Sequence, residues 1–187
     1  MDRGYFYGQT TNFSFPLNTI DVLICHSLGL HFIPEDVLIG TRLLVLFGCF
    51  KYFHSEEKKE SKLSKKIVNA MIKGLKTNPY NLLKEFYTNA YFPDEFENHL
   101  NSNVNHLKLM DDLIFLNNNK FNIEPLKVIP KILIFHGKED IIVNQSKSIE
   151  LHESLNNSNL VIFEKGGHAL PFTHVSECWD IIRFEKE

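Results

Sequence analysis

Three residues that could act together as a hydrolytic unit lie far apart in the chain. Ser27 follows an apolar run, Asp140 closes a short turn after a second apolar run, and His168 follows two glycines. A serine hydroxyl is a poor nucleophile near neutral pH, so it needs a base within hydrogen-bond reach and a third group that orients the base. Ser27 would attack a carbonyl carbon, His168 would carry the proton, and Asp140 would stabilise the imidazolium. These residue types predict chemistry through an acyl-serine intermediate.

Each of the three residues also has a plainer explanation. Serine followed by leucine and glycine is common after an apolar run, a lone histidine is more often structural than catalytic, and glycine and aspartate favour ordinary turns. Glu139 competes with Asp140 as the acid. Gly29 supplies the small neighbour that a strained strand-to-helix turn requires around Ser27, whereas Cys25 stands where a glycine is usual. The joint occurrence of the three residues, in this order, favours the catalytic interpretation.

The order serine, acid, histidine is that of the α/β-hydrolases, and three segments resemble this superfamily. Residues 163–174, with the sequence FEKGGHALPFTH, are similar to the catalytic-histidine region of the pimeloyl-[acyl carrier protein] methyl ester esterases of biotin synthesis. Residues 126–137 resemble the strand that leads to the acid, and residues 2–9 resemble a loop after an early strand. The resemblance implies an α/β-hydrolase fold and a serine carboxylic-ester hydrolase without a cofactor. It also implies an ester substrate, carried in that subfamily on an acidic acyl carrier protein.

The resemblance exposes a gap in the oxyanion hole, the set of hydrogen-bond donors that stabilises the developing negative charge. The backbone N–H of Leu28 would supply one donor. The His-Gly-type loop that supplies the second donor in full-length members has no counterpart ahead of Ser27. Losing one donor costs a factor of about 100 to 1,000 in turnover, so a truncated, catalytically inactive hydrolase-fold protein is the main alternative. Another superfamily hydrolase, such as a thioesterase or a peptidase, is a third hypothesis, because the triad does not select the substrate.

Apolar runs alternate with helical patterns, which predicts an α/β fold with a parallel sheet. Residues 20–25 and 43–50 are apolar enough to be strands buried on both faces. The expected later elements are a strand at 131–136, a helix at 145–155, a strand at 159–164 and a helix at 175–184. Residues 55–122 have few β-branched runs and are expected to be helical, where hydrolases insert a lid. We therefore expect a hydrolase core of residues 1–54 and 123–187 with a helical lid at 55–122.

The length of the chain predicts a reduced version of this fold. A chain of 187 residues can form one domain with a substantial core, but it is short for a hydrolase core with a lid. In the family, the strand at residues 20–25 has a neighbour from a preceding region that is absent here, and an unpaired apolar edge invites pairing with another chain. We expect an N-terminally shortened hydrolase: an incomplete gene product, a lineage that lost its first strands, or a chain that completes its sheet as a homodimer.

A group of lysines in the first part of the expected lid indicates a partner-binding surface. They are Lys58, Lys62, Lys65 and Lys66. Their three- and four-residue steps place them on one helix face. A basic helix beside an esterase cleft would suit an acidic partner such as an acyl carrier protein, because charge complementarity raises association rate and selectivity. The alternative is a solvated helix face that nearby glutamates partly neutralise. His26, next to Ser27, is expected to line the cleft and contact the substrate.

Composition excludes several other function classes. Hydrophobic residues make up 43% of the chain and the formal net charge is −3, so neither disorder nor nucleic-acid binding is indicated. No apolar stretch approaches the ~20 residues of a membrane span, and the polar N-terminus predicts no signal peptide. The three cysteines are expected to be reduced, buried thiols in a cytoplasmic protein. No metal-binding motif is present, so we expect neither a metal, a nucleic acid nor a membrane as a partner.

Overall fold

The computed structural model describes residues 20–97 and 104–186, so the expected loop at residues 2–9 lies outside the described residues. The strands are β1 (Ile20–His26), β2 (Thr41–Phe47), β3 (Lys131–Gly137) and β4 (Ser158–Phe163). The α-helices are α1 (Glu35–Ile39), α2 (Lys58–Thr77), α3 (Pro79–Tyr91), α4 (His106–Asn118), α5 (Ser146–Glu153), α6 (Leu170–Thr173) and α7 (Val175–Lys186). Two short 3-10 helices cover Ser27–Phe32 and Glu124–Val128.

The four described strands form one parallel sheet in the order β1-β2-β3-β4. The register pairs Val45 of β2 with Leu133 of β3, and both side chains are fully buried. Both middle strands are apolar along nearly their whole length, as expected for parallel strands covered on both faces. The predicted α/β fold with a parallel sheet is therefore confirmed. The expectation that a second copy completes the sheet beside β1 stays a prediction.

Helices cover both faces of the sheet. Side chains alternate between the two faces along each strand, so apolar strands present apolar side chains on both faces that helices must bury. One face carries Leu44, Leu46, Ile132 and Ile134, which pack against α1 and α5. The other face carries Leu43, Val45, Leu133 and Phe135, which pack against α6 and α7. Cys25, Cys49 and Cys178 are buried free thiols. Burial raises the pKa of Cys25 to about 11 and that of Cys178 to about 12, so these thiols stay protonated near neutral pH.

The second strand ends three residues before the expected end at residue 50, and it begins two residues before the expected start, at Thr41. It ends at Phe47 because Gly48 has a φ of +53°, a left-handed conformation that suits glycine and turns the chain out of the sheet. The backbone N–H of Gly48 still donates to the carbonyl of Phe135, at 2.9 Å. This turn brings the chain to the carboxyl edge of the sheet, where parallel α/β folds place their ligands.

Helices α2, α3 and α4 lie between β2 and β3 in the chain and share a core of their own. Each begins at a polar side chain that caps its first turn: Glu57, Asn78 and Asn105 accept hydrogen bonds from backbone N–H groups. Val68 of α2 and Leu113 of α4 are among the buried residues where the helices meet. No helix in the described part of the chain is both long enough and apolar enough to cross a membrane.

Candidate active site

Ser27 stands at a sharp turn where β1 ends and a short helix begins. Its φ is +53°, and it is the one described residue other than glycine with a positive φ. Such a backbone conformation is costly for a residue with a side chain, and functional sites often retain it. A serine on a strained strand-to-helix turn presents its hydroxyl at the end of the strand, as in the nucleophile elbow. Both Gly29 and Cys25 are buried beside this turn.

His168 and Asp140 form a buried hydrogen-bonded pair. The Nδ1–H of His168 donates to Oδ2 of Asp140 at 2.7 Å, and each side chain is 1% exposed. An ionised carboxylate only accepts hydrogen bonds, so Nδ1 carries the proton and Nε2 is left as the basic nitrogen. Asp140, rather than the neighbouring exposed Glu139, therefore contacts the histidine. Of the two candidate acids, Asp140 is therefore the one that forms a hydrogen bond with His168.

The carboxylate of Asp140 is held ionised by its surroundings. Its Oδ1 accepts the backbone N–H groups of Ile142 and Val143, each at 2.8 Å. Burial alone would raise the pKa of Asp140, but the attraction to His168 when protonated, the hydrogen bond with His168, the attraction to His136 when protonated and the bond from Val143 together outweigh it. The pKa of Asp140 therefore lies below its usual value, and the group is negative at neutral pH.

His136 is a second buried histidine beside the pair, and the sequence analysis missed it. Its Nε2–H donates to the carbonyl of Val143 at 3.0 Å and lies 3.6 Å from Oδ2 of Asp140. Its Nδ1 then accepts from the hydroxyl of Ser148 at 2.7 Å. Burial lowers the pKa of His136, which keeps the ring neutral. His136 therefore fixes the turn that presents Asp140. The only signal for His136 in the sequence was that a polar residue stands near the end of an apolar strand.

Gly48 packs directly against the pair, and the sequence analysis did not single it out either. A Cβ atom at this position would lie 3.2 Å from Nδ1 of His168 and 3.4 Å from Oδ2 of Asp140. The positive φ of Gly48 adds backbone strain to any replacement. Glycine is therefore needed here for the close approach of the pair, and a glycine after an apolar run was the only hint.

His26 joins the turn at Ser27 to the loop that carries His168. Its Nε2–H donates to the backbone carbonyl of His168 at 2.9 Å, and the two ring centroids are 4.7 Å apart. The sequence analysis expected His26 to contact substrate. The structure places it in the wall of a cavity and adds this contact across the fold.

A cavity of about 660 Å³ opens beside Ser27, Leu28 and His168. Most of its wall is apolar and comes from the three helices between β2 and β3. Those residues include Ile67, Val68 and Met71 of α2, Leu82 and Phe86 of α3, and Leu113 and Leu116 of α4. A cavity of this size and character suits the apolar part of a small organic substrate. Within residues 20–97 and 104–186, no cluster of histidine, cysteine and acidic side chains could hold a metal ion.

The predicted lysines lie outside this cavity. Lys58, Lys62, Lys65 and Lys66, termed here the lysine face, line a separate surface depression on α2. Ser64, Ile67 and Val68 of the same helix line the cavity. The lysine face and the cavity are therefore neighbours across one helix, and the lysines do not contact the space beside Ser27.

Solved structures of similar fold are esterases and related enzymes. An esterase from Exiguobacterium antarcticum is 21% identical with a TM-score of 0.76, and the match covers 90% of this chain and 67% of the esterase. A bromoperoxidase from Bacillus anthracis is 19% identical with a TM-score of 0.65, covering 91% and 68%. A thermophilic esterase from Thermogutta terrifontis is 15% identical with a TM-score of 0.62, covering 88% and 64%. At these identities the likeness concerns the fold, and this chain spans about two thirds of each neighbour's length.

The family comparison agrees with this fold. A search of curated proteins gave no match. Residues 39–177 match the serine hydrolase (FSH1) family, a span that contains Asp140 and His168 and begins after Ser27. A parallel sheet, a strained serine at a strand end and a buried histidine–aspartate pair agree with that match. The chain is therefore a member of the serine hydrolase (FSH1) family with an α/β-hydrolase fold.

Proposed function

We propose that this serine hydrolase cleaves carboxylic esters, with Ser27 as nucleophile, His168 as general base and Asp140 as the orienting acid. The observation that carries the proposal is the buried His168–Asp140 hydrogen bond of 2.7 Å beside the cavity that Ser27 lines. Because Nδ1 of His168 carries the proton of this hydrogen bond, Nε2 of the same ring can act as a base. Ser27, on its left-handed turn, is one of the residues that line this cavity.

The reaction would follow two acyl-transfer steps. The Ser27 oxygen attacks the ester carbonyl while Nε2 of His168 takes the hydroxyl proton, and the backbone N–H of Leu28 stabilises the oxyanion. The C–O bond to the alcohol breaks, and the alcohol leaves with the proton from His168. Water then attacks the acyl-Ser27 ester and gives its proton to His168. Collapse of the second tetrahedral intermediate releases the carboxylic acid and returns the serine hydroxyl.

The apolar cavity supports an ester with an apolar acyl or alcohol group, and helices α2 to α4 would serve as the lid over it. A narrower substrate is an acyl-carrier-protein-linked methyl ester in biotin synthesis, in a cytoplasmic setting. Its support is the lysine face, which lies one helix width from the cavity and suits an acidic carrier. Hydrolysis of a carrier-linked methyl ester, compared with the same ester free in solution, tests this narrower proposal. Equal rates on both would remove the carrier protein from it.

Hydrolysis of p-nitrophenyl butyrate by the purified chain tests the proposal directly. We expect turnover that falls by at least about 1,000-fold in Ser27→Ala, because the nucleophile is gone. Ser176→Ala, which changes an exposed serine of α7, is the matched control and should retain full activity.

The contrary outcomes have distinct meanings. A folded but inactive chain would support a catalytically inactive hydrolase-fold protein with an incomplete oxyanion hole. Activity confined to thioesters or peptides would identify a different acyl-transfer specificity at the same serine. Equal activity of Ser27→Ala and the native chain would exclude Ser27 as the nucleophile.

A further inference from the structure

Helix α2 concentrates positive charge on a chain that is otherwise acidic. Its 20 residues hold seven lysines and one glutamate. The whole chain has 20 basic and 23 acidic residues, which leaves 13 basic and 22 acidic residues outside the helix. All seven lysines are exposed, and no carboxylate in the described ranges pairs with any of them. The positive charge of α2 is therefore available to an anionic partner.

Apolar side chains are exposed on the same helix beside the lysine face. Leu63 is 60% exposed and Ile67 is 54% exposed, although each is a large aliphatic residue. The four-residue step between them places both on one side of the helix, and exposed Ala70 continues this side. Ile141, in the turn after Asp140, is 57% exposed. These four residues, Leu63, Ile67, Ala70 and Ile141, are termed here the apolar rim.

The apolar rim is continuous with the cavity beside Ser27. Ile67, Ala70 and Ile141 each line the cavity wall while also facing solvent. Leu63 extends the same side of α2 by one turn. An apolar molecule that contacts the rim would therefore have a continuous apolar path to Ser27.

We propose that α2 and the apolar rim dock on a lipid surface that carries anionic headgroups, from which ester substrates enter the cavity. Interfacial helices combine lysines on the polar side with aliphatic residues that enter the headgroup boundary, and lysine stems bury while their charges stay in water. Interfaces between proteins are instead depleted in lysine. The combination therefore favours lipid over an acidic protein. Entry of lipid esters rests on the proposed function, whereas docking itself does not.

This proposal departs from the expectation that no membrane is a partner. That expectation concerned the absence of an apolar stretch long enough to span a bilayer. Attachment to one surface needs only a helix with separate charged and apolar sides.

Co-sedimentation with vesicles tests docking independently of catalysis when the full chain carries Ser27→Ala. We expect binding to vesicles of phosphatidylcholine and phosphatidylserine and at least about ten-fold weaker binding to phosphatidylcholine alone. Each lysine near an anionic surface raises the binding constant for that surface by a factor of about five. Lys62→Gln/Lys65→Gln should therefore weaken binding to the anionic vesicles by about 25-fold. Lys84→Gln/Lys127→Gln, which removes two lysines outside α2, should change it less than two-fold.

The apolar rim has its own variant and matched control. Leu63→Ser/Ile67→Ser should weaken binding to anionic vesicles by at least ten-fold, because aliphatic burial is lost. Ile39→Ser/Val128→Ser changes residues of similar exposure, 52% and 62%. Both precede the amino-terminal ends of the parallel strands β2 and β3, at the sheet edge away from Ser27, so binding should stay unchanged. Thermal unfolding of each variant verifies that the fold is retained.

Three results would overturn the proposal. They are equal binding to neutral and anionic vesicles, equal effects of the rim variant and its control, and binding to an acidic carrier protein without binding to vesicles. The last result would favour the carrier-protein proposal for the lysine face. An inactive chain that still binds anionic vesicles would reject the proposed esterase function but not docking.

Discussion

The role of Asp140 can be tested by replacing one oxygen atom of the carboxylate that contacts His168. Asp140→Asn keeps the size of the side chain but replaces the carboxylate with a neutral amide. We expect turnover to fall by about 10,000-fold, because an asparagine favours the wrong histidine tautomer and no longer stabilises the imidazolium. Steady-state hydrolysis of p-nitrophenyl butyrate measures the effect.

The neighbouring acid provides the control for this substitution. Glu139 is exposed and does not contact His168, so Glu139→Gln should change turnover less than two-fold. A loss in Glu139→Gln comparable to that in Asp140→Asn would show that the hydrogen bond in the structure is not the one used in catalysis.

Among the elements, the loop between β4 and α6 depends on the end of α3 for its position. The backbone N–H of Ala169 donates to the carbonyl of Ala90 at 2.8 Å. Gly167 lies so close to the carbonyl of Phe92 that a Cβ atom would overlap it. The end of α3 therefore does more than support the cavity wall, because it also holds the loop that carries His168.

Two adjacent glycines in this loop allow a matched comparison. Gly167→Ala must displace backbone and should lower the free energy of unfolding by about 1–3 kcal/mol, together with a loss of activity. A Cβ atom at Gly166 meets side chains rather than backbone, chiefly the end of Leu170, so the effect of Gly166→Ala should be smaller. Thermal unfolding and ester hydrolysis of both variants measure the contrast. An equal effect of the two substitutions would contradict the contact with α3.

For the whole molecule, buried histidines predict a loss of stability in mild acid. Burial lowers the pKa values of His31, His54 and His136, and that of His31 falls from 6.5 to about 4. Between pH 6.5 and about pH 4, the unfolded chain binds more protons at His31 than the folded chain does. The free energy of unfolding therefore declines as the pH falls through this range. The depressed pKa of Asp140 adds a loss only below its ordinary 3.8.

His31 provides a way to measure one part of this effect. Its ring lies among Phe50, Phe115 and Phe121, and its Nε2–H donates to the carbonyl of Phe50 at 3.0 Å. The pKa shift corresponds to at most about 3 kcal/mol between pH 6.5 and 4. Urea unfolding across this range should show a shallower decline for His31→Phe than for the native chain, despite lower stability at pH 7. His106→Phe, at an exposed position, should leave the slope unchanged.

Local sequence patterns were enough to predict the fold class and the order of the three chemical groups. Long apolar runs identify parallel strands because both of their faces are buried, and this signal is carried by neighbouring residues. The turn residues around Ser27, Asp140 and His168 are local as well. The predicted β2 extended too far because apolar Phe50 continues the run, whereas the backbone conformation of Gly48 ends the strand. The catalytic roles of the three residues stay predictions.

Contacts between distant segments were decided by the tertiary structure alone. His26 and the carbonyl of His168 are 142 positions apart, and neither residue's neighbours indicate that they meet. The same holds for Gly48 against the His168–Asp140 pair and for His136 beside Asp140. The choice of Asp140 over Glu139 depended on which carboxylate faces inward after the strand ends. A sequence specifies such contacts only through the packing of the whole chain, because the distances arise from strand register and from close-packed side chains.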